Sequence, residues 1–112
     1  MDWVNEFPGA ITVCDRQGVI LAMNRRAIEN HEAEGGERLI GRNMLDCHPE
    51  PSRSKVVEML ASGDSNIYTI QKNGVRKLVY QSVWTVDGRR RGLVEIVLDL
   101  PAETPHFNRD AT

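Results

Sequence analysis

Residues 7–27 read FPGAITVCDRQGVILAMNRRA, and this stretch decides how the chain begins to fold. It contains an apolar run rich in β-branched residues at 10–15 and a second apolar run at 19–23. Between the runs, Arg16-Gln17-Gly18 supplies a turn in which the glycine can adopt a positive φ. Two runs joined by a short turn of this kind predict a β-hairpin at the start of the domain.

Helical patterns follow the hairpin. Asn24 is a favourable N-cap residue, because its side-chain oxygen can accept a hydrogen bond from a free N–H of the first helical turn. We predict a short, largely solvated helix over residues 25–34, which Gly35-Gly36 terminates. Residues 37–45 predict short helical turns around Gly41.

The clearest helix lies further along the chain. Pro49 and Pro51 exclude a regular helix over residues 47–51, because proline lacks an N–H donor and disfavours helical geometry before it. Residues 52–61 then place Val56, Met59 and Leu60 at i, i+3 and i+4. This spacing predicts an amphipathic helix that Gly63 terminates.

Strand-like segments complete the chain, at residues 66–71, 77–86 and 92–99. Asn73-Gly74 gives one connecting turn, and Asp87-Gly88 opens the next, with residues 89–91 (three arginines) expected at its tip. The element order β-β-α-α-α-β-β-β predicts an α+β fold, a five-stranded antiparallel sheet with helices packed on one face. We expect an N-terminal flank at 1–8, the domain at 9–100 and a C-terminal tail at 101–112.

The composition excludes several classes of function. The 112 residues amount to one domain, and a formal charge of −2 gives no basis for binding nucleic acid or an acidic membrane. No signal peptide is recognisable, and no apolar run reaches the roughly 18 residues that span a bilayer. The cysteines, Cys14 and Cys47, are far apart and fit reduced thiols, so we expect a cytoplasmic location.

Several segments, in this order and spacing, resemble a PAS domain over residues 7–100. They are the opening hairpin, ERLIGRNMLD at 37–46 and VWTVDGRRRGLVEIVLDL at 83–100. The stretch IGRNMLDCHPEPSRSKVVEML at 40–60 is similar to a PAS sub-group of uncharacterised prokaryotic proteins, in which a Cys-His-Pro element precedes the long helix. The glutamate of GLVEIVLD, at 92–99, also fits that sub-group.

The resemblance implies a sensory, signal-transducing module that is not an enzyme. PAS domains typically bind a small molecule or cofactor between sheet and helices, pair as homodimers and pass a signal to an attached effector, which is not visible in this chain. Neither a nucleophile-elbow pattern nor a phosphate-binding glycine loop is present in the sequence. Fold alone does not fix the function, because PAS domains with and without cofactors share it.

Cys47 and His48 lie next to each other in a proline-braced loop, where a thiolate or imidazole can ligate haem iron or zinc. The alternative is a buried cysteine that packs as a small hydrophobe and a histidine that caps the next helix. A zinc site is not expected, since it needs about four ligands and no CxxC is present. Haem-binding relatives often use a histidine of the long helix, but residues 52–61 contain none, so His48 is the nearest candidate.

Met44 follows Asn43 at the position where light-sensing relatives carry a cysteine that forms a flavin adduct. A thioether cannot form that bond, so a flavin adduct is not expected. Met44 is instead predicted to be a pliable pocket or core residue.

The strand at 77–86 is apolar on both faces, so we expect each face to be at least partly covered. Tyr80, Gln81 and Trp84 are candidates for a pocket or an interface, with plain core packing as the alternative. Glu95 shares a face with Leu93 and needs a partner, because an unpaired buried charge is costly. It is either a polar anchor for a ligand, acting with His48, or an exposed or salt-bridged position.

Three hypotheses follow. The first is a PAS sensor that binds a small ligand in the sheet–helix cavity and relays through a dimer or partner. The second is a ligand-free interaction module, and the third is a haem or redox sensor that uses His48 or Cys47. The predicted ligand-binding residues are Met44, Cys47, His48, Tyr80, Trp84 and Glu95.

Overall fold

The computed structural model of the chain describes residues 1–44 and 50–111. The helices within these ranges are α1 (Trp3–Glu6), α2 (Arg25–Asn30), 3₁₀ turns at Glu32–Glu34 and Gly36–Leu39, and α3 (Ser52–Ser62). The strands are β1 (Ala10–Asp15), β2 (Ile20–Met23), β3 (Asn66–Lys72), β4 (Val75–Val86) and β5 (Arg89–Leu100). Among the described residues, no helix is long and apolar enough to cross a membrane.

The strands form one five-stranded antiparallel sheet in the order β2-β1-β5-β4-β3. The last strand therefore lies in the middle, between the first strand and β4. The helices cover one face of this sheet, which confirms the predicted α+β class. The order of the described elements differs from the predicted one at its start, where the short helix α1 precedes the hairpin. We call the face that packs against α3 the inner face and the opposite one the outer face.

The turn between β4 and β5 is tighter than predicted. Asp87 and Gly88 adopt φ values of 52° and 78°, which are those of a two-residue hairpin turn, and Val86 pairs directly with Arg89. The prediction that residues 89–91 form the tip of this turn is therefore wrong. They belong to β5, because Asp-Gly alone supplies both positive φ angles that close the hairpin.

The opening hairpin is confirmed, with Asp15 as the residue that shapes its turn. Asp15 Oδ1 accepts hydrogen bonds from the backbone N–H groups of Gln17 and Val19, at 2.9 and 3.0 Å. Gly18 has the expected positive φ, of 90°. Val19 precedes β2 and forms an isolated bridge with Asn43, so the hairpin also holds the segment that follows the 3₁₀ turns.

Asn24 has the predicted capping role and a wider one. Its Oδ1 accepts from the N–H of Ala27 at 3.0 Å, which is the N-cap bond, and from the N–H of Ile11 at 2.9 Å. Its Nδ2 donates to the carbonyls of Val4 and Gly9, both at 2.8 Å. Asn24 is 4% exposed and thus joins β1, α2 and the N-terminal segment from a buried position.

The predicted helix over 25–34 is shorter than expected. Helix α2 ends at Asn30, and the backbone of His31 leaves helical geometry with φ −111° and ψ 23°. The chain continues in the 3₁₀ turn Glu32–Glu34. The apolar stripe of this segment is weak, so little packing stabilises further α-helical turns.

Two apolar clusters form the core between the sheet and the helices. One contains Ala10, Ile20, Met23 and Ala27. The other contains Cys14 and Leu93 of the sheet with Val56 and Met59 of α3, which confirms the predicted apolar stripe of that helix. Met44 packs against both clusters.

Arg90 attaches the C-terminus of α3 to the sheet. Its guanidinium donates to the carbonyls of Ala61 and Ser62, at 2.5 and 3.1 Å. The last carbonyls of a helix have no partner within the helix, so these bonds satisfy groups that would otherwise need water. Gly63, with φ 81°, ends the helix as predicted.

Candidate functional site

A row of polar side chains crosses the inner face of the sheet. The strand register places Asn66 of β3 opposite Gln81 of β4, Gln81 opposite Glu95 of β5, and Glu95 opposite Thr12 of β1. Residues directly opposite each other in neighbouring strands share a face, so all four side chains lie on one side. We call Asn66, Gln81 and Glu95 the polar row.

The polar row is linked by hydrogen bonds. Asn66 Nδ2 donates to Gln81 Oε1 at 2.9 Å, and Gln81 Nε2 donates to Glu95 Oε2 at 2.7 Å. An ionised carboxylate can only accept, so Gln81 must turn its NH₂ group towards Glu95 and its oxygen towards Asn66. The carboxylate therefore fixes the orientation of both amides.

The polar row borders a cavity of ≈ 310 Å³ between the sheet and the helical segments. Much of its wall is apolar, formed by side chains that include Cys14, Ile20, Met23, Met44, Val56 and Leu93. Thr12, Gln81 and Glu95 contribute polar groups from the sheet. This volume is at the lower end of the roughly 300–1,000 Å³ range of ligand pockets.

An open groove continues from the cavity along the inner face towards β3. Gln81 and Glu95 line both the cavity and the groove, so they lie where the two meet. Tyr68 and Ile70 extend the groove along β3, and both are partly exposed. A molecule in the cavity thus has a path to solvent past the polar row.

The charge of Glu95 affects the pKa of other groups of this site. Burial raises the pKa of the Cys14 thiol, the backbone hydrogen bond with Leu93 lowers it, and the charges of Asp15 and Glu95 raise it. Burial also raises the pKa of Tyr68, and Glu95 adds to that effect. Cys14 is therefore held as a neutral thiol, which makes it a poor nucleophile and a poor metal ligand.

The family model PAS_4, described as PAS fold, matches residues 4–103. The chain belongs to the PAS family. This confirms the resemblance of the sequence to PAS domains. The finer assignment to a sub-group with a Cys-His-Pro element stays a prediction.

Solved structures similar to this PAS domain show the same fold. A C-terminal domain from Streptococcus mutans is 24% identical with a TM-score of 0.72, covering 87% of this chain and 79% of its own. A sensory box sensor histidine kinase from Vibrio cholerae is 17% identical with a TM-score of 0.64, over 89% and 88% of the two chains. The Aer2 receptor from Vibrio cholerae, called a dual PAS-heme oxygen sensor, is 16% identical with a TM-score of 0.62, over 83% and 95%. No curated protein sequence matches this chain.

The predicted site residues of this PAS domain fall into separate groups. Met44 and Glu95 line the same cavity. Cys47 and His48 lie outside the described residues, so their roles stay predictions. Tyr80 and Trp84 alternate with Gln81 along β4 and lie on the outer face, away from the cavity. Their contribution to an interface stays a prediction.

Trp84 reaches across the middle strand of the outer face. It pairs with Gly92 of β5, and its indole Nε1 donates to the carbonyl of Cys14 in β1 at 3.0 Å. A β-carbon at position 92 would lie 1.9 Å from that same carbonyl oxygen. The absence of a side chain at Gly92 therefore gives the close approach of β1 that this contact needs.

Several residues of the site were not selected from the sequence. Asn66 and Thr12 are short polar residues in strands, and only the pairing register brings them to Glu95. The sequence predicts Gln81 as a candidate that shares a face with Val79 and Val83, but not which side of the sheet that face is on or which residues pair with it. His31 and Arg42 also line the cavity, from the helical side.

Among the described residues, the side chains that carry a histidine nitrogen or a cysteine sulfur are those of Cys14, His31 and His106. Within residues 1–44 and 50–111, no group of three or more His, Cys, Asp or Glu side chains could hold a metal ion. His31 lines the cavity, but it is partly exposed and its Nδ1 lies 3.9 Å from Glu34 Oε2.

Proposed function

We propose that this PAS domain is a non-catalytic sensory module that binds a small organic molecule in the cavity between its sheet and helices. The observation that supports this most directly is the polar row at the edge of a largely apolar cavity. A cavity of ≈ 310 Å³ that opens to solvent past the polar row is large enough for a compact organic molecule. Pre-oriented polar groups in such a cavity are typical of ligand sites.

A ligand in this cavity would contact both layers of the domain. Met44 and Val56 line it from the helical side, and Leu93 and Glu95 line it from β5. Arg90 couples the far end of α3 to the same strand. Ligand binding would therefore bias the position of α3 relative to β5, which is how binding can shift a conformational equilibrium.

Native mass spectrometry of the purified domain tests ligand binding. We expect a retained or added small molecule whose mass is lost on denaturation. Val56→Trp fills the cavity and should abolish the extra mass, whereas Val57→Trp places the same ring at the neighbouring, 53% exposed position and should retain it. Equal retention by both variants would contradict binding in this cavity.

A second candidate function is a protein-interaction module that acts through the outer face. This face exposes large apolar side chains, with Leu21 at 48%, Ile67 at 53% and Tyr80 at 41%. Exposed apolar patches often mark interaction sites, so we propose the outer face for homodimer formation or partner binding. Analytical ultracentrifugation should show a weaker dimer for Ile67→Gln, while the exposed groove substitution Ile70→Gln should leave association unchanged.

Haem or redox sensing through His48 or Cys47 remains the third candidate. An absorption spectrum of haem-supplemented protein tests the haem form. A Soret band that is lost in His48→Ala would identify a haem sensor with that axial ligand. A colourless protein that still carries an organic mass would favour the organic ligand.

A further inference from the structure

We propose that the cavity selects a compact, mostly apolar molecule that presents an N–H donor, neutral or cationic, to the carboxylate of Glu95. This inference rests on the proposed ligand-binding function and names the chemistry of the ligand. It follows from the direction of the hydrogen bonds in the polar row and from the surroundings of the carboxylate.

The polar row presents an acceptor to the cavity. Gln81 occupies one oxygen of Glu95, Oε2, by donating from Nε2. Among residues 1–44 and 50–111, Glu95 receives no other hydrogen bond. A carboxylate has about four acceptor positions on its two oxygens, so Oε1 retains the capacity to accept from a ligand.

The polar row also holds that acceptor in place. Asn66 fixes the oxygen of Gln81, which leaves the Gln81 amide with its NH₂ group aimed at Glu95. A hydrogen-bonded amide of this kind restricts the rotation of the carboxylate before any ligand arrives. Gln81 is thus a positioning residue, and pre-organisation of this kind raises affinity without adding a contact.

The surroundings of Glu95 disfavour an anionic ligand. Cys14, Met44 and Leu93 make the wall beside it apolar, which strengthens electrostatic effects relative to water. Glu34 adds a second carboxylate at the cavity lining, but its side chain is 60% exposed and lies close to His31, so solvent screens its charge. Arg42 is the cationic guanidinium among the described lining residues, and it is exposed to solvent, where its charge is screened.

The test uses four one-ring probes that differ only in their polar group: benzylamine, benzamide, methyl benzoate and benzoate. Chemical-shift titration of the isotope-labelled full chain measures each dissociation constant. We expect the donors benzylamine and benzamide to bind about tenfold tighter than methyl benzoate and benzoate, because a hydrogen bond to a charged group is stronger than a neutral one. Comparison of the two donors shows whether the cationic or the neutral form is preferred.

Two near-isosteric variants test whether Glu95 and Gln81 cause the selectivity for N–H donors. Glu95→Gln should reduce the preference for donors to within about twofold, and Gln81→Met should reduce it by an intermediate factor while the apolar ring still binds. A purely structural role would change all four affinities together and leave their ratios intact. Unchanged ratios in Glu95→Gln would overturn the assignment.

The outcomes separate the two levels of the proposal. If methyl benzoate or benzoate binds as tightly as the donors, the cavity binds ligands but does not select an N–H group, and this inference is wrong. If none of the four probes shifts the cavity resonances of Met44 and Val56, the cavity does not take compact ligands, and the proposed function fails with it.

Discussion

The inner and outer faces of the sheet each carry some side chains opposite to those that their surroundings favour. The inner face is covered by helices, yet it holds the hydrogen-bonded Asn66, Gln81 and Glu95. The outer face exposes Ile67 and Tyr80 to solvent. An antiparallel sheet with one covered face normally places apolar residues inside and polar residues outside. These exceptions are the features from which we propose a ligand site on the inner face and a partner site on the outer face.

The two faces also differ in how much of their surface the chain itself covers. On the outer face, the indole of Trp84 crosses β5, and Phe7 packs near Gly9 and Leu98. These contacts leave the side near β3 open. On the inner face, α3 covers the centre, and the groove along β3 stays open among the described residues. Strand β3 therefore has the least protected surface on both sides.

The largest predicted effect comes from Gly92, where β1 lies very close to β5. Gly92→Ala would place a β-carbon 1.9 Å from the carbonyl oxygen of Cys14 and 2.8 Å from Cα of Asp15, so β1 must move. We expect a loss of more than about 3 kcal/mol in the free energy of unfolding, measured by urea denaturation. Gly74→Ala is the control, because its β-carbon meets nothing within 4 Å and only its φ of 78° is unfavourable. Equal losses in the free energy of unfolding of the two variants would show that β1 can move at little cost.

The next effect is at Asn24, which ties the N-terminal segment to α2. Asn24→Ala removes two accepted and two donated hydrogen bonds from a buried position. We expect a cost of about 2–4 kcal/mol, since backbone groups of Ile11 and Gly9 lose partners. Asn30→Ala, at the exposed end of α2, should cost less than about 0.5 kcal/mol. A similar thermal midpoint for both variants would contradict the central role of Asn24.

A smaller effect on stability is expected from the polar row. Replacing Gln81 and Glu95 together by leucine removes both partners of their mutual hydrogen bond and leaves only Asn66, which is partly exposed and can bond to water, so we expect the free energy of unfolding to change by less than about 1 kcal/mol. Ligand selectivity should be lost in the same variant. Glu95→Leu alone should be less stable than the double variant, because the Gln81 amide then loses its acceptor. A large loss of stability in the double variant would mean that the polar row serves the fold and not a ligand.

The register of β3 and β4 could be predicted from the sequence. The Asn73-Gly74 turn predicts a two-residue hairpin, which pairs Lys72 with Val75, and counting outwards from it places Asn66 opposite Gln81. The structure has this pairing without interruption. The contact between Asn66 and Gln81 thus follows from the position of this one turn.

The register of β4 and β5 could not be predicted from the sequence. Counting from the Val86–Arg89 pair would place Gln81 opposite Val94, but an irregularity between Trp84 and Thr85 shifts the partner to Glu95. A shift of one residue exchanges the faces of a strand, so this bulge determines whether Gln81 and Glu95 meet. The irregularity adjoins Trp84, whose indole donates to the carbonyl of Cys14 in β1, and no local sequence pattern predicts it.

The sequence also does not determine which face of β4 packs against the helices, because both faces are apolar. Packing of Val56 and Met59 against Leu93 decides it, and these contacts join distant parts of the chain. The fold class and most element positions followed from local patterns. The partners within the site depended on tertiary packing, and Cys47 and His48 lie outside the described residues.

The smallest predicted effect concerns Asp99, at the edge of the inner face. The hydrogen bond from Lys77 Nζ, at 2.6 Å, lowers the pKa of the Asp99 carboxyl; desolvation opposes this, and the charges of Lys77 and Arg26 support it. Because the pKa is lower in the folded than in the unfolded state, the pair stabilises the domain above the unfolded pKa, about 3.9. That stability is lost as the pH falls through the folded pKa.

Asp99 is half-exposed, so solvent screening limits the contribution of the pair to below about 1 kcal/mol. We expect Asp99→Asn to be slightly less stable than the parent at neutral pH, with a gap that closes as the pH falls and narrows in high salt. Urea denaturation across that pH range measures the gap. In a protein that also carries Lys77→Met, Asp99→Asn should cause no loss of stability at any pH. A gap that stays constant with pH would mean that Asp99 acts through packing. The ion pair would then have no part in holding the edge of the inner face, and the polar row would be the electrostatic feature that distinguishes this face from the outer one.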